Sequence, residues 1–287
     1  MALKVGTSGW SYDDWEGHVY PRAIDASSRL AFYAERFPTV EVDSTYYRDP
    51  APAVVKGWIA KTRDATRFEL SVKAPGTLTH EMLVDGDPAQ VRRVAEAWRV
   101  LVADPLAAAH RLGAILLQLS PAVTRHPAAR ERLAAALDAL APHPCAVEFR
   151  NRTWHTEEAE PRYHDDTREL LDAHRAAAVV VDGPPFPPIV AGAASHAYVR
   201  FHGRNASHWK KKDEYYGQRY DYLYAEGELD PWAKRLAALA KEKELVRVYF
   251  NNHVQGKAFR NGEQMEALLE RERAPVERAE SAQRRLF

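Results

Sequence analysis

Short apolar runs alternate with longer amphipathic stretches from one end of the chain to the other. The runs LKVGTSGW, TVEVDSTYY, RFELSVKAP, GAILLQLSP, CAVEFRNRTW, AAVVVDGPP, AYVRFHGR and RVYFNNH read as strands. They are short, rich in β-branched residues and bounded by Gly, Pro or Asn. Between them, SSRLAFYAERF, AVVKGWIAKTR, PAQVRRVAEAWRVLV, ARERLAAALDAL, TRELLDAHRA, PWAKRLAALAKEK and GEQMEALLERER repeat their apolar residues at helical spacing. Only GPPFPPIVAGAASH, after the sixth run, offers no clear helix. Strict alternation implies a parallel sheet covered by helices. Eight such units in about 250 residues match a (β/α)8 TIM barrel. A doubly wound open sheet is the alternative, but no G-x-G-x-x-G follows the first strand. The expectation is one domain over residues 1–287, with a core of about 4–270 and a polar tail, 274–287, that frays.

Barrel strands alternate between the interior and an apolar helix layer, so ionisable residues take the interior parity or the rim. In the second strand Val40 and Val42 face helices, and Glu41, Asp43 and Thr45 face inward. In the third, Phe68, Leu70 and Val72 face out, and Glu69, Ser71 and Lys73 inward. Gln118 is inward on the fourth, Glu148 and Arg150 on the fifth, Arg200 and His202 on the seventh. Asp182 ends the sixth strand. The eighth ends in Asn251, Asn252 and His253, where parity is ambiguous. Most of these lie toward strand C-termini, the face on which barrel enzymes place their chemistry. Burying that many charges is costly unless they are paired or used. An ion-pair plug of the barrel is the structural alternative.

The chain of 287 residues has a formal net charge of zero, so no whole-chain basic field for nucleic acid exists. A single cysteine, Cys145, excludes an internal disulfide and predicts a reducing, cytoplasmic setting. It falls on the helix-facing parity and reads as core. The N-terminus carries no apolar signal segment, and no apolar run is long enough to span a membrane.

Two stretches carry further chemistry. VGTSGWSYDDWEGHVYP spends glycines and aromatics directly after the first strand, as a wall of the mouth would. HGRNASHWKKKDEYYGQRYDYLYAEGEL, residues 204–224 at its centre, mixes Lys210, Lys211 and Lys212 with aromatics. It suits a lid over an anion site, a contact for single-stranded nucleic acid, or a solvated loop. A divalent metal held by Glu148, Asp182 and His202 would draw oxygen and nitrogen ligands from consecutive strands. Without a tight motif such as H-E-x-x-H, the cofactor is left unassigned and the reading taken is metal-free.

In order along the chain, VGTSGWSYDDWEGHVYP, VEVDSTYY, FELSVKAPGTLTH, VEFRNRTW, YVRFHGR, RYDYLY and YFNNHVQGKA resemble the YecE-like family, domain of unknown function 72. The resemblance covers residues 4 to about 270. It implies a TIM barrel related to sugar isomerase-like barrels, and maps family motifs onto Trp10, Glu41, Lys73, His80, Glu148, Arg150, Arg200, His202, Gly203, Asn251 and Asn252. The leading expectation is an enzyme, isomerase-like or hydrolase-like, acting on a small anionic or polyhydroxylated metabolite. Glu148, Glu41, Lys73 and His202 are the candidate catalytic residues. Trp10, Gln118, Arg150, Trp154, Asp182, Arg200, Asn251 and Asn252 are the candidate ligand contacts, with Trp10 and Trp154 stacking on the ligand. The alternatives are a nucleic-acid-binding barrel that uses the basic aromatic loop, and a barrel that binds a ligand without turnover.

Overall fold

The computed structural model describes residues 1–184, 187–190, 192–205 and 219–279. Its strands are β1 (Ala2–Thr7), β2 (Thr39–Val42), β3 (Glu69–Lys73), β4 (Leu112–Gln118), β5 (Cys145–Glu148), β6 (Ala177–Asp182), β7 (His196–Phe201) and β8 (Leu245–Phe250). All pair in parallel in the order β1-β8-β7-β6-β5-β4-β3-β2. Among the described residues the α-helices of six residues or more are α1 (Arg29–Ala34), α2 (Pro52–Lys61), α3 (Pro88–Trp98), α4 (Pro127–Leu140), α5 (Asp165–Ala173), α6 (Glu226–Glu242) and α7 (Lys257–Arg271). This is the (β/α)8 barrel that the alternation predicts.

Local sequence explains the helix boundaries. Proline opens α2, α3 and α4, where its missing N–H costs nothing. Asp87 caps α3 and forms a reciprocal capping box with Gln90. The stretch read as one helix from Pro88 is interrupted. It widens into a π-wound turn over Arg99–Ala103 before resuming at Asp104.

The barrel closes between β1 and β2 through a seam of three different parts. At the top, Gly9 N–H donates to the Glu41 carbonyl at 2.8 Å. In the middle, the Tyr33 hydroxyl accepts from Thr7 N–H at 2.8 Å and donates to the Thr39 carbonyl at 3.2 Å. At the bottom, the tail from Pro275 to Glu277 pairs with Leu3 through two backbone hydrogen bonds of 2.9 and 2.8 Å. The start of the tail is therefore built into the barrel edge rather than frayed, while residues 280–287 lie outside the described residues. A Cβ on Gly6 would meet the Thr39 carbonyl oxygen at 2.1 Å, so the seam can be this tight only with glycine there.

The predicted parity holds. Val40, Val42, Leu70, Val72, Ile115, Leu117, Val147, Val199 and Phe201 join the helices in the main core. Cys145 packs there too. A smaller cluster fills one side of the interior with Ala114, Leu116, Ala146, Val179, Tyr198 and Tyr249. The other side is polar and layered. Glu69 sits low, bonded by Arg247 Nε at 2.6 Å and Lys4 Nζ at 3.2 Å. It therefore plugs the barrel floor. Above it, the Tyr249 hydroxyl lies 2.6 Å from Thr39 Oγ1 and 2.8 Å from Ser71 Oγ. The next layer up is the candidate site.

Candidate functional site

Strand C-termini bring Glu41, Lys73, Gln118, Glu148, Arg150, Arg200, His202 and Asn251 to one end of the interior. Arg200 is its centre and is only 2 % exposed. Its Nη2 donates to Glu41 Oε1 at 2.7 Å, and its Nη1 to Glu148 Oε2 at 2.5 Å and Gln118 Oε1 at 3.0 Å. Glu41 also accepts from Ser8 Oγ and from the Tyr198 hydroxyl, each at 2.7 Å. The second oxygen of Glu148 is paired with Arg150 Nε and lies 3.4 Å from His202 Nε2. Burial would raise the Glu148 pKa, but Arg150, Arg200 and His202 outweigh it and hold the carboxyl well below the usual range.

His202 is fully buried, with Nδ1 at 3.0 Å from the Asn251 amide nitrogen and Nε2 at 3.1 Å from Arg150 Nη2. Burial, reinforced by Arg200 and only partly offset by Glu148, pushes its pKa down to about 4. The ring is neutral at pH 7. Lys73 is 8 % exposed, and its Nζ sits 4.1 Å from the centroid of the Tyr46 ring. Burial and Arg200 lower its pKa to about 8 against the pull of Glu41 and Glu148. His80, on the π-wound turn Thr77–Met82 that follows β3, packs edge-on to Tyr46 at 5.0 Å. Burial, Lys73 and Arg150 lower its pKa. At the rim, Asp43 has a raised pKa, from burial first and Glu41 second, against Lys73.

Three expected ligand contacts are corrected. Asp182 shares parity with Ala178 and Val180 and turns toward the helix layer. It accepts from Trp232 Nε1 on α6 at 2.6 Å, from the Tyr224 hydroxyl at 2.7 Å, and from Arg204 Nη2 at 2.7 Å. Asn252 likewise faces outward, where its amide donates to the Tyr222 carbonyl at 2.7 Å and Asn261 Oδ1 at 2.8 Å. Together these two residues fasten the segment 222–224. Trp154 is fully buried in the main core, its indole donating to the Val123 carbonyl at 2.8 Å, and has no face for a ligand. With Asp182 removed, the metal set Glu148, Asp182 and His202 does not converge. Among the described residues no group of three or more His, Cys, Asp or Glu side chains could hold a metal ion.

Trp10 stands half-buried at the rim, edge-on to Trp58 at 6.2 Å. The opening aromatic that reaches toward the carboxylates is Tyr12. Its ring stacks on His253 at 4.5 Å, its hydroxyl donates to the Ser8 carbonyl at 2.8 Å, and Asp43 and Glu41 help raise its pKa. Gly203 follows His202 at φ 87°, in the left-handed region. A Cβ there would meet Tyr222 Cβ at 2.8 Å. Tyr198 has the same inward parity as Arg200, whereas Tyr12 and Tyr46 lie on turns beyond the strands, where alternation carries no signal. The lysine run 210–212 lies outside the described residues.

A closed parallel barrel with a charged cluster at its strand C-termini has the architecture on which barrel enzymes are built. The chain belongs to the family described as "Protein of unknown function DUF72", which matches residues 4–285. It is 29% identical over 277 residues to the UPF0759 protein YunF of Bacillus subtilis (strain 168), covering 93% of this chain and 95% of that one. A crystal structure of the DUF72 family protein TM1631 from Thermotoga maritima MSB8 is similar, at a TM-score of 0.78 and 31% identity, over 94% of this chain and all of the other. The DUF72 family protein EF0366 of Enterococcus faecalis V583 matches with a TM-score of 0.77 at 25% identity, over 93% of this chain and 95% of that chain. Among the described residues no helix is long and apolar enough to cross a membrane.

Proposed function

We propose that this barrel is an enzyme acting on a small anionic or polyhydroxylated metabolite by acid/base chemistry at the strand C-termini. One observation carries the reading: buried cations and carboxylates converge at the strand C-termini, and Lys73 stands among them without an ion-pair partner among the described residues. Lys73, Arg150 and Arg200 face Glu41, Glu148 and, at the rim, Asp43, while His202 is neutral. Glu41 and Glu148 are engaged by Arg200 and Arg150, so the Lys73 charge is buried without a paired carboxylate, a cost that an incoming anion relieves. Arg200 is engaged by both carboxylates and acts as the positioning residue. Arg150 supplies the contact to the anion, with the planar donor geometry that suits phosphate or carboxylate. Lys73 is the group able to give and take a proton near neutral pH, because its environment has moved it there. Glu148 is held ionised and orients Arg150 and His202.

Calorimetry with inorganic phosphate, citrate and ribose 5-phosphate tests this. At least one should bind wild type, with affinity per folded molecule lost tenfold or more in Arg150→Met, its fold checked by circular dichroism. Equal affinity in both proteins, or no binding to wild type, contradicts it.

A further inference from the structure

The geometry points to Lys73 as a nucleophile that forms an imine with an aldehyde or ketone whose other end carries the anion held by Arg150. This rests on the reading of the cluster as a metabolite site and names the substrate class for it. Lys73 ends β3 with its side chain turned into the cluster and its Nζ over the Tyr46 ring. Among the described residues no carboxylate stands within ion-pair distance of that nitrogen. The two nearest in charge, Glu41 and Glu148, are already taken up by Arg200, Arg150, Ser8 and Tyr198. An ammonium buried against an aromatic face, with a neighbouring guanidinium and no paired acid among the described residues, is a poor charge store. It becomes a nucleophile as soon as it loses its proton.

The groups facing it complete the chemistry. Arg200 and Arg150 approach from β7 and beyond β5, Glu41 and Asp43 from β2 and its end, Glu148 from β5, and Tyr46 and His80 from the turns after β2 and β3. The lowered pKa of Lys73, about 8, agrees with this arrangement. Asp43 at the end of β2 and the half-buried His80 are the acid–base side chains beside Lys73 through which a proton can pass.

The step balances without an oxidant or reductant. The Lys73 Nζ lone pair attacks the carbonyl carbon, and the C=O π pair moves to oxygen, which takes a proton as the nitrogen releases one. The C–O bond of this carbinolamine then breaks. Its oxygen leaves as water with a second proton, taken from solvent through Asp43 or His80, and the nitrogen lone pair closes the C=N bond. Amine, carbonyl and one proton thus give iminium and water. The cationic nitrogen withdraws electrons from the neighbouring carbon and makes its C–H acidic, which serves isomerisation or C–C bond cleavage equally.

The test is borohydride trapping. The full chain is incubated separately with dihydroxyacetone phosphate, ribose 5-phosphate, pyruvate and uncharged dihydroxyacetone, reduced, digested and mapped by mass spectrometry, with binding measured in parallel by calorimetry. The phosphate and carboxylate probes separate the two sources of anion. The expected result is a reduced adduct on the Lys73 peptide with an anionic probe, at least tenfold above dihydroxyacetone, with a rate that rises with pH around a midpoint near 8. It should be absent in Lys73→Arg and in Lys73→Met, both checked for native circular dichroism. Labelling confined to other lysines overturns the proposal. A probe that binds in an Arg150-dependent way yet leaves no adduct overturns the imine and leaves the anion site standing. Neither binding nor adduct with any probe overturns both.

Discussion

Arg200 Nη2 lies 2.7 Å from Glu41 Oε1, tying β7 to β2 through the barrel interior. The same guanidinium holds Glu148 from β5, so a single cation fixes two buried acids that would otherwise repel each other. Removing one partner of such a pair leaves the other charge buried and uncompensated. Arg200→Met should therefore cost about 3–5 kcal/mol of stability, read from urea unfolding. Pairing it with Glu41→Gln and Glu148→Gln should restore part of that loss. A loss below about 1 kcal/mol, the range of an exposed pair, would remove the network from the fold's support.

Lys73 is predicted to be a destabilising residue. Its folded pKa of about 8 lies below the ordinary 10.5, so the native state binds fewer protons between those values and stability rises with pH across that window. Below pH 8 the native state bears the full cost of the buried ammonium. Lys73→Met should thus stabilise the protein at pH 7, on the order of 2 kcal/mol, and the gain should shrink toward pH 10. A destabilised Lys73→Met at pH 7 would mean that the lysine is paired after all.

Acid should weaken the fold first through histidine. His202 and His196 both have folded pKa values of about 4, below the ordinary 6.5, chiefly because they are buried. Their contribution is fully present above pH 6.5 and is lost as pH falls toward 4. The slope is at most about 1.4 kcal/mol per pH unit for each histidine. The urea midpoint should fall over that window, and less steeply in His202→Gln. Glu148, held low by its arginines, should contribute only at more acidic pH. A flat midpoint between pH 6.5 and 4.5 would contradict the buried neutral rings.

Asp182→Asn tests the corrected side of the site. The carboxylate collects Trp232, Tyr224 and Arg204, so its loss should cost about 3 kcal/mol and raise proteolysis near 222–224. Anion affinity per folded molecule should be unchanged. A selective loss of affinity at full stability would return Asp182 to the ligand.

Much of the barrel is legible in the sequence because its helix layer is apolar. Each strand then divides by parity, and Glu41, Lys73, Glu148, Arg150, Arg200 and His202 fall inward on that rule alone. The rule fails where alternation is hidden. The run AAVVVD is apolar on both faces, so nothing in it marks Asp182 as outward. Asn251 and Asn252 are adjacent amides of opposite parity, and only the inward Asn251 reaches His202. Trp154 sits on a 3-10 turn beyond β5, where strand parity no longer applies. Glu69 has the inward parity of Lys73 but lies at the opposite end of the same strand, and depth along the barrel, unlike facing, depends on register.

The central claim is that the charged cluster at the strand C-termini turns over a small anionic or polyhydroxylated metabolite. The most direct measurement is a mass-spectrometric comparison of a defined pool of sugar phosphates, free sugars and oxo acids, incubated with wild type, Arg150→Met and Lys73→Met at matched folded concentration. The account predicts that wild type converts at least one compound, and that each variant slows this by a factor of about a hundred or more, the usual scale of a removed catalytic or charge-stabilising group. Conversion that proceeds equally in all three proteins would contradict it, as would a pool left unchanged by wild type at millimolar concentrations.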